Sequence, residues 1–377
     1  MIKPADFYEK LNNIGIEFFA GVPDSLLKDF CAYVTDNTSN EKNIIAANEG
    51  NAIALAAGYN LSTDRVGLVY MQNSGLGNSI NPLLSLVEEN VYDIPMLLII
   101  GWRGEPNKND ACQHLKQGEV TKKLLDTIDI KYNILPENTE EANILLGNIE
   151  DYFKKENKPY ALIVRRGTFE KYELNGKYKN NFEMSREEAI EILVNNIEDG
   201  VFFSTTGKAS RELYEIRERN NQSHDNDFLM VGSMGHISQI ALSVAVDRKN
   251  ENIYCLDGDG SMIMHLGGLS LVGSLGSKNF KHVILNNGAH DSVGGQPTVG
   301  FNIDINKTVK GLGYETVFQV ETKKELEEKL EDFIICKGPA LMEIKIHKGA
   351  RDDLGRPDIS SHKRKELFMD YLQRDRN

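Results

Sequence analysis

The stretch NIYCLDGDGSMIMHLGGLSLVGSLGSKNFKHVILNNG, residues 252–288, decides the fold. An apolar run predicts a strand, a Gly-Asp-Gly turn follows it, and a helical pattern leads to a second apolar run that ends in Asn-Asn-Gly. Strand, helix and strand in this order predict a right-handed βαβ unit with parallel strands. The two turns therefore follow neighbouring strands of one sheet.

Both turns carry residue types that bind an anion and a hard metal ion. Gly258 and Gly260 let the backbone approach an anion closely, and the N–H groups of a helix starting near Ser261 point toward it. Asp259 and Asn287 supply a carboxylate and an amide oxygen, which suit Mg²⁺ together with a backbone carbonyl and diphosphate oxygens. Either turn alone would be a plain strand-end turn, but the twenty-five intervening residues and the strand context favour a site.

This pair of turns resembles the signature of thiamin-diphosphate-dependent 2-oxo-acid decarboxylases. The resemblance implies thiamin diphosphate and Mg²⁺ as cofactors, with Asp259, Asn287 and the carbonyl of Ala289 as metal ligands. The cofactor-binding residues it implies are Glu49, Gly232, Ser233, Met234, Gly258, Asp259, Gly260, Ser261 and Asn287.

Two upstream segments also fit the resemblance, although by themselves they are only glycine-containing loops. In MVGSMGHIS (230–238), Met234 matches the apolar residue that keeps the cofactor bent, and the carbonyl of Gly232 would accept from the aminopyrimidine. STTGKASREL (204–213) is similar to a further strand-to-helix loop near the diphosphate.

In the first half, NEGNAIALAAGY (48–59) places Glu49 where a strand gives way to a helix. A first-turn acid there would complement the helix dipole without any catalytic role. The resemblance instead implies that Glu49 is catalytic, with its carboxyl beside the pyrimidine ring of the cofactor. The glycines of QNSGLGNSINPL (72–83) fit a simple turn, and the resemblance puts this loop near the cofactor too.

Apolar runs alternate with helical patterns along the chain, which predicts an α/β protein of two open parallel-sheet domains. A polar stretch at 171–184 separates the halves, and Ser185 with Glu188 predicts a capping box that opens a new helix. We place a pyrimidine-binding domain at residues 1–175 and a diphosphate-binding domain at 183–377, with no middle domain. The predicted strands are 16–22, 42–48, 65–71, 95–102, 160–166, 201–206, 252–258, 281–288 and 340–346.

Composition excludes several classes of partner and location. The net charge of −13 argues against nucleic acid or an anionic membrane as the main partner. The four cysteines are scattered and form no CxxC pair, and no apolar run approaches a bilayer span. We therefore predict a cytoplasmic protein, and the resemblance implies a homodimer or higher homo-oligomer with the cofactor at the subunit interface.

Further segments concern the substrate, a small anionic 2-oxo acid. GVPDSLLKDF (21–30), the stretch 101–126, NNGAHDSVGGQPT (286–298) and KGARDDLGRP (348–357) resemble the compact two-domain decarboxylases that act on phosphonopyruvate or sulfopyruvate. The single continuous chain favours phosphonopyruvate, because the sulfopyruvate enzymes are often split into two polypeptides. By itself His114 could be a surface histidine on a polar helix, but the resemblance favours a catalytic role as a proton donor or a binder of the substrate oxyanion. The predicted substrate residues are Asp24, Ser25, His114, His290, Asp291 and Ser292; Arg103, Lys116, Arg351 and Arg356 could neutralise the phosphonate, although each alone is more simply a solvated charge.

Three alternatives remain at this point. The substrate could be sulfopyruvate or pyruvate, which comparison of turnover would decide. A non-catalytic cofactor-binding subunit is disfavoured because Glu49, Asp259 and Asn287 are intact. A nicotinamide-dependent oxidoreductase would need GxGxxG after a first strand, and SGLGNS lacks one of its glycines.

Overall fold

The computed structural model describes residues 1–176 and 180–374, which form two compact units. The first unit contains residues 1–176 together with Ser292–Gln296, and the second contains 180–291 and 297–374. Residues 177–179 of the predicted linker and 375–377 of the predicted second domain lie outside the described residues. Among the described residues, no helix is both long and apolar enough to cross a membrane.

The first unit is a parallel sheet with helices between its strands. Its strands are β1 (Phe19–Gly21), β2 (Asn43–Ile45), β3 (Gly67–Gln72), β4 (Met96–Gly101), β5 (Lys131–Ile134) and β6 (Tyr160–Val164). Its helices are α1 (Pro4–Asn13), α2 (Lys28–Asn37), α3 (Glu49–Thr63), α4 (Leu76–Pro82), α5 (Cys112–Thr127) and α6 (Thr139–Glu156). The strand order is β2-β1-β3-β4-β6-β5.

The second unit repeats this design. Its strands are β7 (Val201–Ser204), β8 (Asp227–Leu229), β9 (Ile253–Gly258), β10 (Phe280–Asn286), β11 (Thr316–Val320) and β12 (Ala340–Lys345). Its helices are α7 (Arg186–Asn196), α8 (Lys208–Arg219), α9 (Ile237–Asp247), α10 (Asp259–Met264), α11 (Leu269–Leu275), α12 (Ile305–Gly311), α13 (Lys323–Ile335) and α14 (Ser361–Gln373). The order β11-β12-β10-β9-β7-β8, read from its other edge, matches the winding of the first sheet.

Both sheets reverse their winding direction between the first and third strand of the unit. In the first unit this point lies between β1 and β3, and in the second between β7 and β9. Loops that leave the carboxyl ends of such strands diverge and open a crevice, which is where open α/β sheets bind ligands. The segments that begin at Asp24, Gln72, Thr205 and Gly258 all leave the sheets at these points.

Apolar residues on both faces of each sheet explain the continuous runs in the sequence. Along β4, Leu97 and Ile99 join one buried cluster, whereas Leu98 and Ile100 join another on the opposite face. Alternate side chains of a strand point to opposite faces, so a central strand with both faces buried is apolar along most of its length. The predicted α/β fold with two parallel sheets is confirmed.

The predicted capping box is also confirmed at the start of α7. The Ser185 side chain accepts from the backbone N–H of Glu188, and the Glu188 carboxylate accepts from the N–H of Ser185. This reciprocal pair satisfies two of the donors that an open helix end leaves free.

Candidate active site

The Gly-Asp-Gly and Asn-Asn-Gly turns lie side by side in the second unit. Strands β9 and β10 pair in parallel with Gly258 opposite Leu285, so Asp259, which follows β9, lies at the same end of the sheet as Asn286, the last residue of β10. The backbone N–H of Asn287 donates to the Asp259 carboxylate. The sequence expectation that these two turns meet therefore agrees with the register of the sheet.

Asp259 is a buried carboxylate whose hydrogen bonds offset only part of the effect of burial on its pKa. It is 2% exposed, and burial raises its pKa to about 6. The hydroxyl of Thr298 and the N–H of Asn287 donate to it and oppose this rise. Burial disfavours the charged form of this carboxylate, and a nearby cation would stabilise that form. Such an environment is expected of a metal ligand.

The two adjacent asparagines have different surroundings. Asn286 is committed to internal bonds, because its amide nitrogen donates to Glu343 Oε1 at 2.7 Å and to the Gly300 carbonyl at 3.0 Å. Asn287 folds over its own turn, and its side-chain oxygen accepts from the N–H of Ala289 at 3.0 Å. An amide oxygen has two lone pairs, so this oxygen keeps one for a metal.

Ser261 joins three loops of the second unit. Its hydroxyl lies 3.0 Å from that of Thr205, which directly follows β7, and accepts from the N–H of Gly235 at 3.1 Å. A side chain on Gly258 would meet no atom of the described residues within 4 Å, so the backbone at this turn is open to a ligand. Helix α10 begins at Asp259, two residues before the expected start near Ser261.

The loop that carries Met234 is a tight turn with left-handed backbone at two positions. Ser233 has φ +55° and Gly235 has φ +84°. His236 Nδ1 lies 3.2 Å from the Ser233 carbonyl and 3.1 Å from the Met234 carbonyl, so an N–H at this atom would hold both. Met234 itself is half-buried. The turn thus presents an apolar side chain on a constrained backbone.

His290 and Asp291 follow the Asn-Asn-Gly turn but have separate surroundings. The His290 ring packs against Gly260, and a Cβ added to Gly260 would lie 3.1 Å from His290 Cε1. Burial lowers the pKa of His290 to about 4. Burial acts to raise the pKa of Asp291, but Lys208 and Arg186 outweigh it and hold this pKa below its usual value. His290 is therefore neutral and Asp291 charged at neutral pH.

In the first unit, Glu49 is the first residue of α3 and is 6% exposed. The Asn78 side chain donates to its Oε2 at 2.7 Å. Gly75 lies so close to this carboxyl that a Cβ added to Gly75 would be 2.6 Å from Glu49 Oε1. The loop 72–83 therefore holds the glutamate carboxyl in place.

Asp24 and Ser25 lie at the point where the first sheet reverses its winding. Asp24 is fully buried and accepts from Gln72 Nε2 at 2.6 Å and from the N–H of Leu26 at 2.9 Å. Burial raises the pKa of Asp24 despite these bonds. The Ser25 hydroxyl accepts from Arg103 Nη1 at 2.8 Å. Asp24 thus organises the crevice, and Ser25 lies toward Arg103.

Arg103 is held by Asp110, a partner that the sequence reasoning missed. Two of its nitrogens donate to the Asp110 carboxylate at 2.8 and 2.5 Å. The backbone N–H groups of Gly104 and Ala111 also donate to the Asp110 carboxylate. His114, half-buried in the first turn of α5, has its carbonyl directly against Gly104. Asp110 lies within the stretch 101–126, but its pairing with Arg103 is visible only in the fold.

The other basic residues considered for the substrate are engaged or exposed. Lys116 is paired with Glu119 on the exposed face of α5. Arg351 is paired with carboxylates of the second unit, and Arg356 is exposed. Lys208 and Lys348, which the sequence reasoning did not single out as substrate ligands, both interact with Asp291. Ser292 belongs to the first unit, whereas His290 and Asp291 belong to the second.

The residues at the two turns fit a metal-bound diphosphate. Their donors are a buried carboxylate, an amide oxygen and backbone carbonyls, all hard oxygen ligands of the type Mg²⁺ selects. In the part of the chain that the structure describes, no group of three or more His, Cys, Asp and Glu side chains could hold a metal without further ligands. A diphosphate whose oxygens complete the coordination sphere satisfies that need, and Gly258 leaves room for it.

Comparison with known proteins identifies the family. Residues 205–344 match the thiamine pyrophosphate enzyme, C-terminal TPP binding domain, and residues 5–127 match the N-terminal TPP binding domain. Phosphonopyruvate decarboxylase of Streptomyces viridochromogenes is 33% identical over 96% of this chain and 92% of its own length. The enzyme of the same name from Streptomyces hygroscopicus is 31% identical over 98% and 94%.

A sulfopyruvate decarboxylase from Methanosarcina acetivorans is less similar, at 27% identity over 86% of each chain. The chain therefore belongs to the thiamine-pyrophosphate-dependent decarboxylase family, and its organic cofactor is thiamin diphosphate. The family predicted from the paired turns is confirmed.

Proposed function

We propose that this chain decarboxylates 3-phosphonopyruvate to phosphonoacetaldehyde and CO₂, in phosphonate biosynthesis such as that of 2-aminoethylphosphonate. The observation that carries this proposal is the near-full-length similarity to two phosphonopyruvate decarboxylases. The lower identity to a sulfopyruvate decarboxylase supports that alternative less well.

Each half of the chain contributes to cofactor binding in this proposal. Asp259, Asn287 and the carbonyl of Ala289 hold Mg²⁺. Glu49, whose carboxyl is held by Asn78, would contact the pyrimidine ring and could hold or give up a proton at its carboxyl oxygen. When bound, thiamin diphosphate supplies the electron sink that lets CO₂ leave. The diphosphate and ring contacts come from Gly258, Gly260, Ser261, Gly232, Ser233 and Met234.

His114 is the proposed proton donor or oxyanion ligand on the substrate side. Its helix starts beside the Arg103 turn, near the crevice that Asp24 organises. Asp24, Ser25, His290, Asp291 and Ser292 are proposed to line the same substrate. His290 is neutral and buried against Gly260, so it would add no charge beside the diphosphate.

The active form is proposed to be a homodimer or higher homo-oligomer in the cytoplasm, with each cofactor at a subunit interface. Glu49 and the Asp259–Asn287 pair come from different units of the chain. In the proposed assembly, one copy supplies Glu49 and another supplies the Asp259–Asn287 pair. The four free cysteines, two of them buried, suit a reducing compartment.

The direct test is a decarboxylation assay on phosphonopyruvate, sulfopyruvate and pyruvate, with and without thiamin diphosphate and Mg²⁺. The proposal expects the highest kcat/KM for phosphonopyruvate and no turnover after both cofactors are removed. A higher kcat/KM for sulfopyruvate would move the assignment to the alternative. Turnover that persists without thiamin diphosphate would reject the proposed function altogether.

A further inference from the structure

A cluster of charges surrounds Asp291 in the second unit, next to the turn that carries Asn287. One carboxylate oxygen, Asp291 Oδ2, lies 3.2 Å from Arg186 Nη1 and 3.4 Å from Lys208 Nζ. The same oxygen accepts from the backbone N–H of Gly349 at 3.3 Å. Lys348, the neighbour of Gly349, interacts electrostatically with both Asp291 and Asp259. Two lysines therefore converge on one carboxylate beside the proposed metal site.

The charges of this cluster divide into one closed ion pair and a group of lysines and carboxylates. Arg186 is paired with Glu212 through two bonds of 2.7 and 2.9 Å, so these two residues neutralise each other. Asp291 then faces two lysines, Lys208 and Lys348. Lys348 also interacts with Asp259, so the charges balance while Asp259 faces the lysine. If Asp259 binds Mg²⁺ as proposed, the two lysines face the single charge of Asp291, which is a local positive excess in a chain whose net charge is −13.

Neither lysine is an ordinary solvated surface charge. The Lys208 side chain is 25% exposed, and Lys348 is half-buried. Burial lowers the pKa of Lys348, while Asp291 and Asp259 act to raise it. Partly desolvated ammonium groups interact more strongly with an anion than exposed ones do. Both remain accessible enough to contact a ligand.

The segment that carries Lys348 is held in place along its length. Arg211 donates to the carbonyls of Leu354 and Gly355. Arg351 pairs with Glu187 and Glu215 of the helices α7 and α8. The stretch 348–357 is therefore tied to the helices α7 and α8. The anchored segment fixes the backbone from which Lys348 projects.

We propose that Lys208 and Lys348 bind the phosphonate group of the substrate and thereby distinguish it from 2-oxo acids with an uncharged substituent. This inference rests on the proposed function and deepens it. A phosphonate carries up to two negative charges, which the local positive excess can offset. The diphosphate of the cofactor is the other anion that could claim these lysines, and the experiment separates the two.

The test measures binding of phosphonoacetate, a stable phosphonate probe, to the protein loaded with thiamin diphosphate and Mg²⁺, by isothermal titration calorimetry. Lys208→Met and Lys348→Met are each expected to weaken binding by about tenfold to a hundredfold, the effect of losing a charged hydrogen bond. Lys208→Arg and Lys348→Arg keep the charge and should recover part of the affinity. Lys345→Met is the matched control, since Lys345 is partly buried but paired with Glu321.

The same variants are titrated with thiamin diphosphate in the presence of Mg²⁺. An unchanged Kd for the cofactor, together with weaker phosphonoacetate binding, supports the proposal. If the Kd for the cofactor rises by the same factor, the lysines bind the diphosphate and the proposal is overturned. The proposal is also overturned if the wild type and both Met variants bind phosphonoacetate equally well. If the wild type fails to decarboxylate phosphonopyruvate but shows the lysine-dependent affinity, the proposed function fails while the anion site stands.

Discussion

At the scale of single residues, the site depends on close approaches that leave no room for a larger side chain. Gly75 is the clearest example, because its backbone lies against the Glu49 carboxyl. Its φ is −70°, so alanine would suit the backbone and only the contact forbids it. Gly77, two residues further on, is a natural control, because a Cβ added there would meet no atom of the described residues within 4 Å.

We expect Gly75→Ala to displace Glu49 and lower kcat by about tenfold to a hundredfold, because small misplacements of a catalytic group are costly. Steady-state kinetics of Gly75→Ala and Gly77→Ala would measure this. Gly77→Ala should retain wild-type kcat. Equal kcat values for the two variants would show that the position of Glu49 is unimportant.

The pair of Arg103 and Asp110 makes a pH-dependent contribution to stability. The Arg103 hydrogen bond is the largest cause that holds the pKa of Asp110 below its ordinary value of 3.8. A lowered pKa in the folded state stabilises the protein above that ordinary value, and the contribution disappears as the pH falls through the folded-state pKa. Asp110→Asn should therefore reduce the free energy of unfolding at pH 7 by about 1–3 kcal/mol.

Urea unfolding at pH 7 and at about pH 3 would test this, and the difference between Asp110→Asn and the wild type should shrink at the lower pH. Glu119→Gln removes an exposed pair with Lys116 and should have a much smaller effect. A difference that is independent of pH would contradict the role given to the Asp110 charge.

At the scale of elements, the ends of helices and strands follow local rules closely. Ser185 and Glu188 close the start of α7 reciprocally, as their spacing predicted. Ser185→Ala should lower the free energy of unfolding of the second unit by about 1 kcal/mol. Ser274→Ala, at an exposed position inside α11, should be neutral or slightly stabilising. Denaturant unfolding that finds the two variants alike would refute the capping contribution.

The three strands that sequence reasoning missed, β5, β8 and β11, all lie at the edges of the sheets, whereas the fourth edge strand, β2, was predicted at 42–48. The central strands were predicted because both of their faces are buried and their sequences are mostly apolar. β5 alternates exposed and half-buried residues, β8 has only three residues, and β11 is mostly half-buried. Each pairs with one neighbour, so its sequence lacks the long apolar run that revealed the others.

Site residues could be predicted where short motifs carry them, and not where distant charges meet. Asp259 and Asn287 stand in turns with a recognisable spacing, and the structure brings those turns together. Arg186 and Lys208 meet Asp291 only because α7, α8 and the loop after β10 converge. No periodicity or spacing in the sequence relates residues so far apart. Their roles remain predictions.

At the scale of the whole molecule, one winding is used twice and the chemistry is divided between the copies. Both sheets share the same strand order, yet Glu49 belongs to the first unit and the metal-binding turns to the second. The segment Ser292–Gln296 groups with the first unit although it follows β10. This grouping depends on tertiary packing, so the domain limits predicted from the polar stretch at 171–184 could not include it.

We propose that Glu49 of one copy and Asp259 of another serve the same coenzyme. Glu49→Gln should bind thiamin diphosphate yet lose most turnover, and Asp259→Asn should lose turnover through weak metal binding. When the two inactive variants are mixed, dissociated and reassembled, half of the dimers should contain one intact site. Activity on phosphonopyruvate should then return to about a quarter of the wild-type value. A mixture no more active than its separate components would contradict the shared site.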